Sequence, residues 1–434
     1  MTQKLRARPT KAWEALSPLL PSRTPDYDFW WKLTGMNLAS LVDAAGYPIE
    51  RQYETLLFHY HWIVPFLGPA PAADGTIEWP TTLNLEGLPI EYSWKWNTPT
   101  TRPEIRYAID AKGAFTGTAM DPLNQQASRE LLHRLQDSLP HLDLTWTNHI
   151  LATLFDKDPS KYVQEAAKGA KYTTTVMIAP EFKPSGVTIK TYVYPRKLGM
   201  EQVPVQQWKD SIAEMCPGGA ASDVLYDFLD NSPEGKLLSP CILGVDAITP
   251  EKSRIKFYFR TPHTSFTSMK EIMTLGGRIP VPEKQLQDLR SLIISITGLK
   301  DDFPEDAELP LAPQFQHLFE DSTTNTPLVL PACGYYFNVG PRCELPEVKI
   351  NLPLYIYCPD ELAIGHGLTA WMDSHGMGGY CNQYLSMLES LAEHRQLNNG
   401  KGIQSFLSCM FKKNGEMEIT SYLAPVHDLA VLPN

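Results

Sequence analysis

The stretch SRIKFYFRTP, residues 253–262, decides the fold because its polar and apolar side chains alternate. Read as a β-strand, it turns one set toward each face of a sheet. The polar set is Arg254, Lys256 and Tyr258, and the apolar set is Ile255, Phe257 and Phe259. Two cations and a phenol on one face are more than solvation of a surface strand requires. The same combination recurs in other strands of the chain.

Seven further stretches alternate in this way and come in pairs separated by helical segments. They are PIEYSWKWN (89–97), PEIRYAID (103–110), YTTTVMIAP (172–180), VTIKTYVYP (187–195), PEVKINLPLY (346–355), IQSFLSCMFKK (403–413) and MEITSYLAP (417–425). Short turns such as KKNG predict hairpins and therefore antiparallel pairing. Leucine-rich stripes of helical period occur in residues 129–140, 284–298 and 382–395. A helix is also predicted over residues 27–46.

An antiparallel sheet of this length is expected to curl and close into a barrel. A helical layer outside it would explain the apolar outward faces, for example Ile105, Tyr107 and Ile109. The polar faces then point into the lumen. The predicted lumen set is Glu91, Arg106, Lys190, Tyr192, Tyr194, Arg254, Lys256, Tyr258, Lys349 and Tyr422. The fold class is thus α/β, with helices around a barrel.

Five cations with one carboxylate require a counter-ion, because buried like charges repel one another. A diphosphate is the simplest candidate, since arginine forks and lysine ammonium groups both bind phosphate oxygens. The tyrosines would present π faces that stabilise a neighbouring carbocation and exclude water. An allylic diphosphate that ionises needs both the stabilisation of its carbocation and the exclusion of water. The alternative is that each strand merely has a solvated polar face, in which tyrosine is common.

Composition excludes several other classes of protein. The 434 residues carry a net charge of −11 with a pI near 5.5, which argues against nucleic-acid and membrane-surface binding. No apolar run is long enough to cross a membrane, and the N-terminus lacks the apolar core of a secretory signal. The seven cysteines are scattered and are expected to be reduced. We expect a cytoplasmic protein with a single domain over residues 1–434, as a monomer or homodimer.

The sequence resembles the fungal indole prenyltransferases of the dimethylallyltryptophan synthase family over essentially its whole length. The resemblance rests on the order and spacing of several segments, including WWKLTGMNLASLVDAAGYP (30–48), EGLPIEYSWKWN (86–97), IKTYVYPRK (189–197), RIKFYFRTPHTSF (254–266) and ITSYLAP (419–425). It implies the ABBA prenyltransferase fold, a ten-stranded antiparallel β-barrel surrounded by α-helices. The segment EYSWKWN is most similar to members that prenylate tryptophan-containing cyclic dipeptides such as cyclo-Trp-Pro (brevianamide F).

The resemblance also implies roles for individual residues. Glu91 corresponds to the glutamate that accepts the indole N–H. Arg106, Lys190, Arg254, Lys256 and Lys349 correspond to the diphosphate-binding cations. Tyr192, Tyr258, Tyr422 and, less closely, Tyr194 correspond to tyrosines that shield the allyl group. Dimethylallyl diphosphate would be the prenyl donor, with neither Mg²⁺ nor Ca²⁺ required.

Three further residues are expected in the substrate pocket. Thr175 stands where a lysine is frequent in members that use free tryptophan, and Asn351 stands where a tyrosine is common. Both departures leave the proton acceptor undefined. Ala108 is the next inward position after Arg106, and its small side chain leaves room for an aromatic substrate.

The expected activity is transfer of a dimethylallyl group to the indole of a tryptophan-containing cyclic dipeptide in indole alkaloid biosynthesis. Alternatives are prenylation of free tryptophan, another indole or a phenolic acceptor, and a non-catalytic barrel that binds an aromatic phosphate metabolite. A metal-dependent synthase could use the acidic residues of LKDDFPED (299–306), but Pro304 interrupts the helical spacing that such a motif requires. We therefore predict no metal site.

Overall fold

The computed structural model describes residues 9–156, 158–167, 174–183, 186–197, 200, 202–216, 219–312, 333–392, 397–399 and 402–425. Ten antiparallel strands form a closed barrel in the ring order β1-β10-β9-β8-β7-β6-β5-β4-β3-β2. The strands are β1 Ile90–Lys95, β2 Glu104–Ile109, β3 Val176–Lys183, β4 Gly186–Val193, β5 Ser239–Asp246, β6 Ile255–Thr261, β7 Cys333–Val339, β8 Glu347–Pro353, β9 Gln404–Phe411 and β10 Met417–Leu423. The predicted ten-stranded barrel is confirmed.

The outward faces of the strands are apolar because helices cover them. Ile105, Tyr107 and Ile109 of β2 are all buried in the main hydrophobic core, as the alternation predicts. Two strands escaped detection in the sequence. Strand β5 contains a proline and a register shift after Pro240, and β7 reads GYYFNV without alternation, so neither shows the period-two pattern.

Helices occupy the segments between the strand pairs. The α-helices are α1 Lys11–Leu16, α2 Pro25–Trp30, α3 Met36–Ala44, α4 Ile49–Phe58, α5 Gln126–Ser138, α6 Thr145–Thr153, α7 Pro159–Ala167, α8 Val205–Met215, α9 Ala220–Asn231, α10 Pro233–Leu237, α11 Phe266–Met273, α12 Glu283–Thr297, α13 Leu354–Tyr357, α14 Glu361–Ser374 and α15 Cys381–Leu391. Short 3₁₀ turns cover Ser17–Leu19, Val64–Phe66, Gly378–Tyr380 and Leu397–Asn399.

The helix predicted over residues 27–46 consists of three parts. A π-helical turn, Trp31–Gly35, separates α2 from α3, and a second one, His59–Ile63, follows α4. The two turns are joined by a hydrogen bond of 2.7 Å between Thr34 Oγ1 and His59 Nε2. Tyr92 on the outer face of β1 donates its hydroxyl proton to the Thr34 carbonyl at 2.8 Å. These contacts fix the N-terminal helices against the strand that carries Glu91.

The acidic stretch 301–306 lies in turns beyond α12, whose C-cap residue is Gly298 with φ +71°. Gly298 adopts the left-handed conformation that glycine tolerates best at a helix C-terminus. Among the described residues, no group of three or more His, Cys, Asp or Glu side chains is arranged to hold a metal ion. Within the same ranges, no helix has the length and apolar character needed to cross a bilayer. All seven cysteines are free thiols.

Candidate active site

The barrel lumen contains a cavity of about 220 Å³. Most of the predicted site residues line it, because their positions on the strands share the inward parity. The predicted residues on the cavity wall are Glu91, Arg106, Ala108, Lys190, Tyr192, Tyr194, Tyr258, Asn351 and Tyr422. The remaining predicted cations, Arg254, Lys256 and Lys349, lie farther along the lumen beside these residues.

The five predicted cations form a cluster in the lumen, and each of them contacts a carboxylate. Glu181 pairs with Arg106 (Nη1 to Oε1, 3.0 Å) and also with Lys190. Asp246 accepts from Lys256 at 2.7 Å and from Arg254 at 2.8 Å. We call these residues, together with Lys349 and Glu418, the cation cluster.

The third pair of the cation cluster joins Lys349 to Glu418 at 3.3 Å. The sequence predicted a single carboxylate in the lumen, and that prediction is wrong, since Glu181, Asp246 and Glu418 also contact the inward-facing cations. Cations still outnumber carboxylates here, because Lys183 also pairs with Glu181, and Lys95 and Lys412 also pair with Glu418. Glu181 and Glu418 could have been found by parity, because they share the inward face with Ala179 and Tyr422.

The charges within the cluster shift one another's pKa values. Burial and the nearby Lys256 lower the pKa of Lys190 to about 7, although Glu181 opposes the shift. Burial likewise lowers the pKa of Lys349 to about 8. Burial alone would raise the pKa of Asp246, but attraction to Lys256, Lys190 and Arg254 outweighs it and holds that pKa well below its usual range. An arriving polyanion would favour the charged form of both lysines.

Aromatic rings lie next to the cation cluster. The rings of Tyr192 and Tyr258 are 5.9 Å apart in an edge-to-face arrangement, and Tyr258 is 5.0 Å from Tyr336. Lys349 Nζ lies 5.9 Å from the Tyr336 ring centroid. Tyr422 lies on the opposite part of the wall, 6.5 Å from Phe406. Tyr336 was missed in the sequence because β7 does not alternate.

Glu91 is a buried carboxyl group on the cavity wall, with a relative exposure of 8%. The Ser405 hydroxyl donates to its Oε1 at 2.6 Å. Burial raises the pKa of Glu91 to about 8, and the Ser405 hydrogen bond opposes this shift only in part. Ala108 is the residue directly opposite Glu91 in the β1–β2 register, so a small side chain lies beside the carboxyl group.

Thr175 is not among the residues that line the cavity. Its hydroxyl donates to the Leu123 carbonyl, and its own carbonyl accepts from the Tyr194 amide at 2.9 Å. Thr175 precedes the first residue of β3, and Tyr194 provides the cavity side chain at this level. Arg260, by contrast, lines the cavity and was missed, although it follows Tyr258 by two residues and so shares its inward face.

Comparison with known proteins identifies relatives along the whole chain. The model of the family described as tryptophan dimethylallyltransferase matches residues 26–387. Prenyltransferase AnuH of Penicillium roqueforti is 52% identical, with 96% of this chain and 93% of that protein covered. Xanthone prenyltransferase B of Emericella nidulans is 43% identical, with 96% of this chain and 91% of that protein covered.

Solved structures share the fold. AnaPT from Neosartorya fischeri superposes with a TM-score of 0.79 at 23% identity, with 96% of this chain and 98% of that chain covered. NotF in complex with brevianamide F and DMSPP gives a TM-score of 0.76 at 19% identity, with 96% and 99% covered. The structural and sequence relatives are prenyltransferases, which agrees with a lumen lined by cations and tyrosine rings. The chain belongs to the tryptophan dimethylallyltransferase family and is a prenyltransferase with the ABBA barrel.

Proposed function

We propose that the protein transfers a dimethylallyl group from dimethylallyl diphosphate to a hydroxylated aromatic ring. The observation that carries this proposal is the arrangement of the lumen: a cation cluster with surplus positive charge adjoins tyrosine rings, and a buried carboxyl group lies on the same cavity wall. The cluster is suited to a diphosphate, the rings to an allyl cation, and Glu91 to an acceptor that donates a hydrogen bond.

In the proposed reaction, the C–O bond of the donor breaks and its electron pair leaves with the diphosphate. Arg106 and the neighbouring lysines stabilise the developing negative charge, which is electrostatic catalysis by preorganised groups. Tyr192, Tyr258 and Tyr422 surround the allyl cation and keep water away from it. A ring carbon of the acceptor then attacks the cation and forms a C–C bond, and the resulting arenium ion transfers its ring proton to the released diphosphate.

Glu91 would accept a hydrogen bond from the acceptor and increase the electron density of its ring. A phenolic O–H satisfies this requirement as well as an indole N–H does. The hydroxylated acceptor is favoured because relatives with 42% and 43% identity are named xanthone prenyltransferases. Those identities are well above the 19% shared with NotF, which was solved with brevianamide F.

An indole acceptor is the second candidate. The family model is named for tryptophan, and the NotF complex contains a cyclic dipeptide. The buried carboxyl group of Glu91 is compatible with an indole N–H as well. Under this alternative the substrate would be a tryptophan-containing cyclic dipeptide such as cyclo-Trp-Pro.

A panel assay tests the proposal. The purified protein is incubated with dimethylallyl diphosphate and, in separate reactions, 1,3-dihydroxyxanthone, cyclo-Trp-Pro or tryptophan, and the products are assigned by NMR. We expect C-prenylated dihydroxyxanthone at the highest kcat/KM. Faster turnover of cyclo-Trp-Pro would overturn the phenolic assignment in favour of the indole one. Donor binding without turnover of any acceptor would leave the non-catalytic barrel as the remaining explanation.

A further inference from the structure

Arg260 is a further cation on the inner face of the barrel, and it lines the same cavity as Arg106 and Lys190 of the cation cluster. Along β6 the inward residues are Arg254, Lys256, Tyr258 and Arg260 in turn. Arg260 therefore lies four residues beyond Lys256, or about 13 Å along the strand. Tyr258 and its neighbouring rings lie between Arg260 and the residues suited to a diphosphate.

The surroundings of Arg260 differ from those of the cluster cations. The ionisable side chains that act most strongly on it are Cys241, Tyr194 and Tyr355, none of which is a carboxylate. In the part of the chain that the structure describes, no ion pair joins Arg260 to a carboxylate, whereas every cluster cation has one. The Arg260 side chain shares a hydrogen bond with Cys241, and a partly buried guanidinium with five N–H donors retains others for a ligand oxygen.

The neighbouring strand leaves space beside Arg260. Its partner in the β6–β7 register is Gly334, which also lines the cavity and has no side chain to cover the guanidinium. A methyl group at Gly334 would make only ordinary contacts of 3.6 Å with Asn351. The space beside Arg260 therefore exists because residue 334 is a glycine, although a methyl group there would fit without a clash.

Arg260 and Glu91 face each other across the cavity. In the ten-membered ring of strands, β1 and β6 are five positions apart in either direction. Both residues line the same cavity. Tyr355 is close enough to respond to both: burial raises the pKa of Tyr355 to about 12, Arg260 opposes this shift, and Glu91 adds to it. The acceptor end of the lumen thus presents a hydrogen-bond acceptor on one side and a donor on the other.

We infer that Arg260 binds an oxygen of the aromatic acceptor, either a carbonyl oxygen or an ionised hydroxyl, while Glu91 binds a hydroxyl group at the opposite edge of the ring. This inference rests on the proposed function and narrows its substrate class to aromatic compounds with a hydroxyl donor and an oxygen acceptor on opposite edges. A dihydroxylated xanthone has both groups. The pairing would also fix which ring carbon faces the allyl cation.

The test compares two probes that differ only in the carbonyl group, 1,3-dihydroxyxanthone and 1,3-dihydroxyxanthene. Binding is measured by calorimetric titration of the wild-type protein and of the Arg260→Gln and Arg260→Lys variants. A hydrogen bond to a charged group predicts that Arg260→Gln weakens xanthone binding about tenfold or more. Xanthene binding should remain unchanged, and Arg260→Lys should restore part of the xanthone affinity.

Arg254→Gln on the same strand is the matched control, because it removes an inward cation from the diphosphate end. It should raise the KM for dimethylallyl diphosphate and leave xanthone binding intact. Arg260→Gln should instead weaken xanthone binding and leave the KM for dimethylallyl diphosphate unchanged. Equal weakening of both probes in Arg260→Gln, or weakening of neither, would overturn the inference, as would failure of the wild-type protein to bind the xanthone. Xanthone binding that depends on Arg260 but gives no prenylated product would overturn the proposed function alone.

Discussion

Glu91 combines two properties that usually oppose each other, burial and a functional need for charge. At neutral pH its raised pKa of about 8 leaves most of the population protonated, with the Ser405 hydroxyl as its described partner. A neutral carboxyl group binds an O–H or N–H less strongly than a carboxylate does. Deprotonation should therefore increase acceptor activation, and the activity should depend on pH through this residue.

Above pH 8, where Glu91 is ionised, the variant Glu91→Gln should lower kcat/KM for the acceptor by about 10- to 100-fold, since a hydrogen bond to a charged group is lost. With saturating dimethylallyl diphosphate, which keeps Lys190 and Lys349 charged, kcat/KM of the wild-type protein for the acceptor should rise with pH through a pKa of about 8, and this limb should be absent from the variant. Steady-state kinetics across this pH range measure both effects. An unchanged kcat/KM with a preserved pH limb would exclude Glu91 from the reaction.

Thermal unfolding separates this role from a structural one. The folded pKa of Glu91 is raised above the ordinary value of 4.5, so the folded state holds a proton that the unfolded state releases. Stability from this group therefore falls as pH rises from about 4.5 to about 8. The variant lacks the titration, so its Tm relative to the wild-type protein should increase over that interval while its activity stays low.

At the scale of the strands, local alternation predicted which side chains face the barrel lumen, but it did not predict the ion pairs that they form. The inward parity of β2, β4, β6 and β8 identified all five cations from local sequence alone. The carboxylates that neutralise them come from β3, β5 and β10, and their pairing depends on cross-strand register, as for Arg106, which lies opposite Glu181. Register is set by the whole barrel and cannot be obtained from one segment.

Strand β5 does not show period-two alternation, yet it supplies a residue of the site. It contributes Asp246, which holds Lys256 and Arg254 in the lumen. Because the proline and the bulge of β5 hide its alternation, the sequence suggested an uncompensated cluster of cations. The excess of positive charge in the lumen is therefore smaller than the sequence predicted. The positions of Arg254 and Lys256 are also more restricted, because both contact Asp246.

The variant Asp246→Asn should lower Tm by several degrees at neutral pH, because loss of one partner from a buried ion pair costs about 3–5 kcal/mol. The pKa of Asp246 is depressed in the folded state, so the stabilisation is present above the ordinary value of 3.8 and is lost as pH falls through the folded pKa. The Tm difference from the wild-type protein should accordingly narrow below about pH 4. Differential scanning calorimetry measures the Tm of both proteins as a function of pH.

Pyrophosphate and a surface variant complete this experiment. Pyrophosphate should raise the Tm of Asp246→Asn at least as much as that of the wild-type protein, since the cluster has gained a positive charge and ligand binding to the folded state stabilises it. Asp302→Asn, in the exposed turn after α12, should leave Tm unchanged. If Asp246→Asn behaves like Asp302→Asn, the cluster is not held by Asp246.

For the whole molecule, closure of the barrel brings residues from distant parts of the sequence to one cavity. Glu91 and Tyr422 are more than three hundred residues apart, yet β1 and β10 are adjacent and close the ring. Closure also gives the lumen two chemically different ends, with cations toward one end and Glu91 and Arg260 toward the other. The donor and the acceptor can then meet between the tyrosine rings.

This division of the lumen leads to the prediction that turnover needs no divalent metal ion. Arg106, Lys190, Arg254, Lys256 and Lys349 would provide the positive charge that Mg²⁺ supplies to a departing diphosphate in metal-dependent enzymes. Initial rates with dimethylallyl diphosphate and an accepted aromatic substrate should therefore be equal with and without excess EDTA. The double variant Asp301→Asn/Asp302→Asn should retain the wild-type rate. Loss of activity in EDTA that Mg²⁺ restores, together with inactivity of the double variant, would show instead that the acidic turn after α12 binds the catalytic metal.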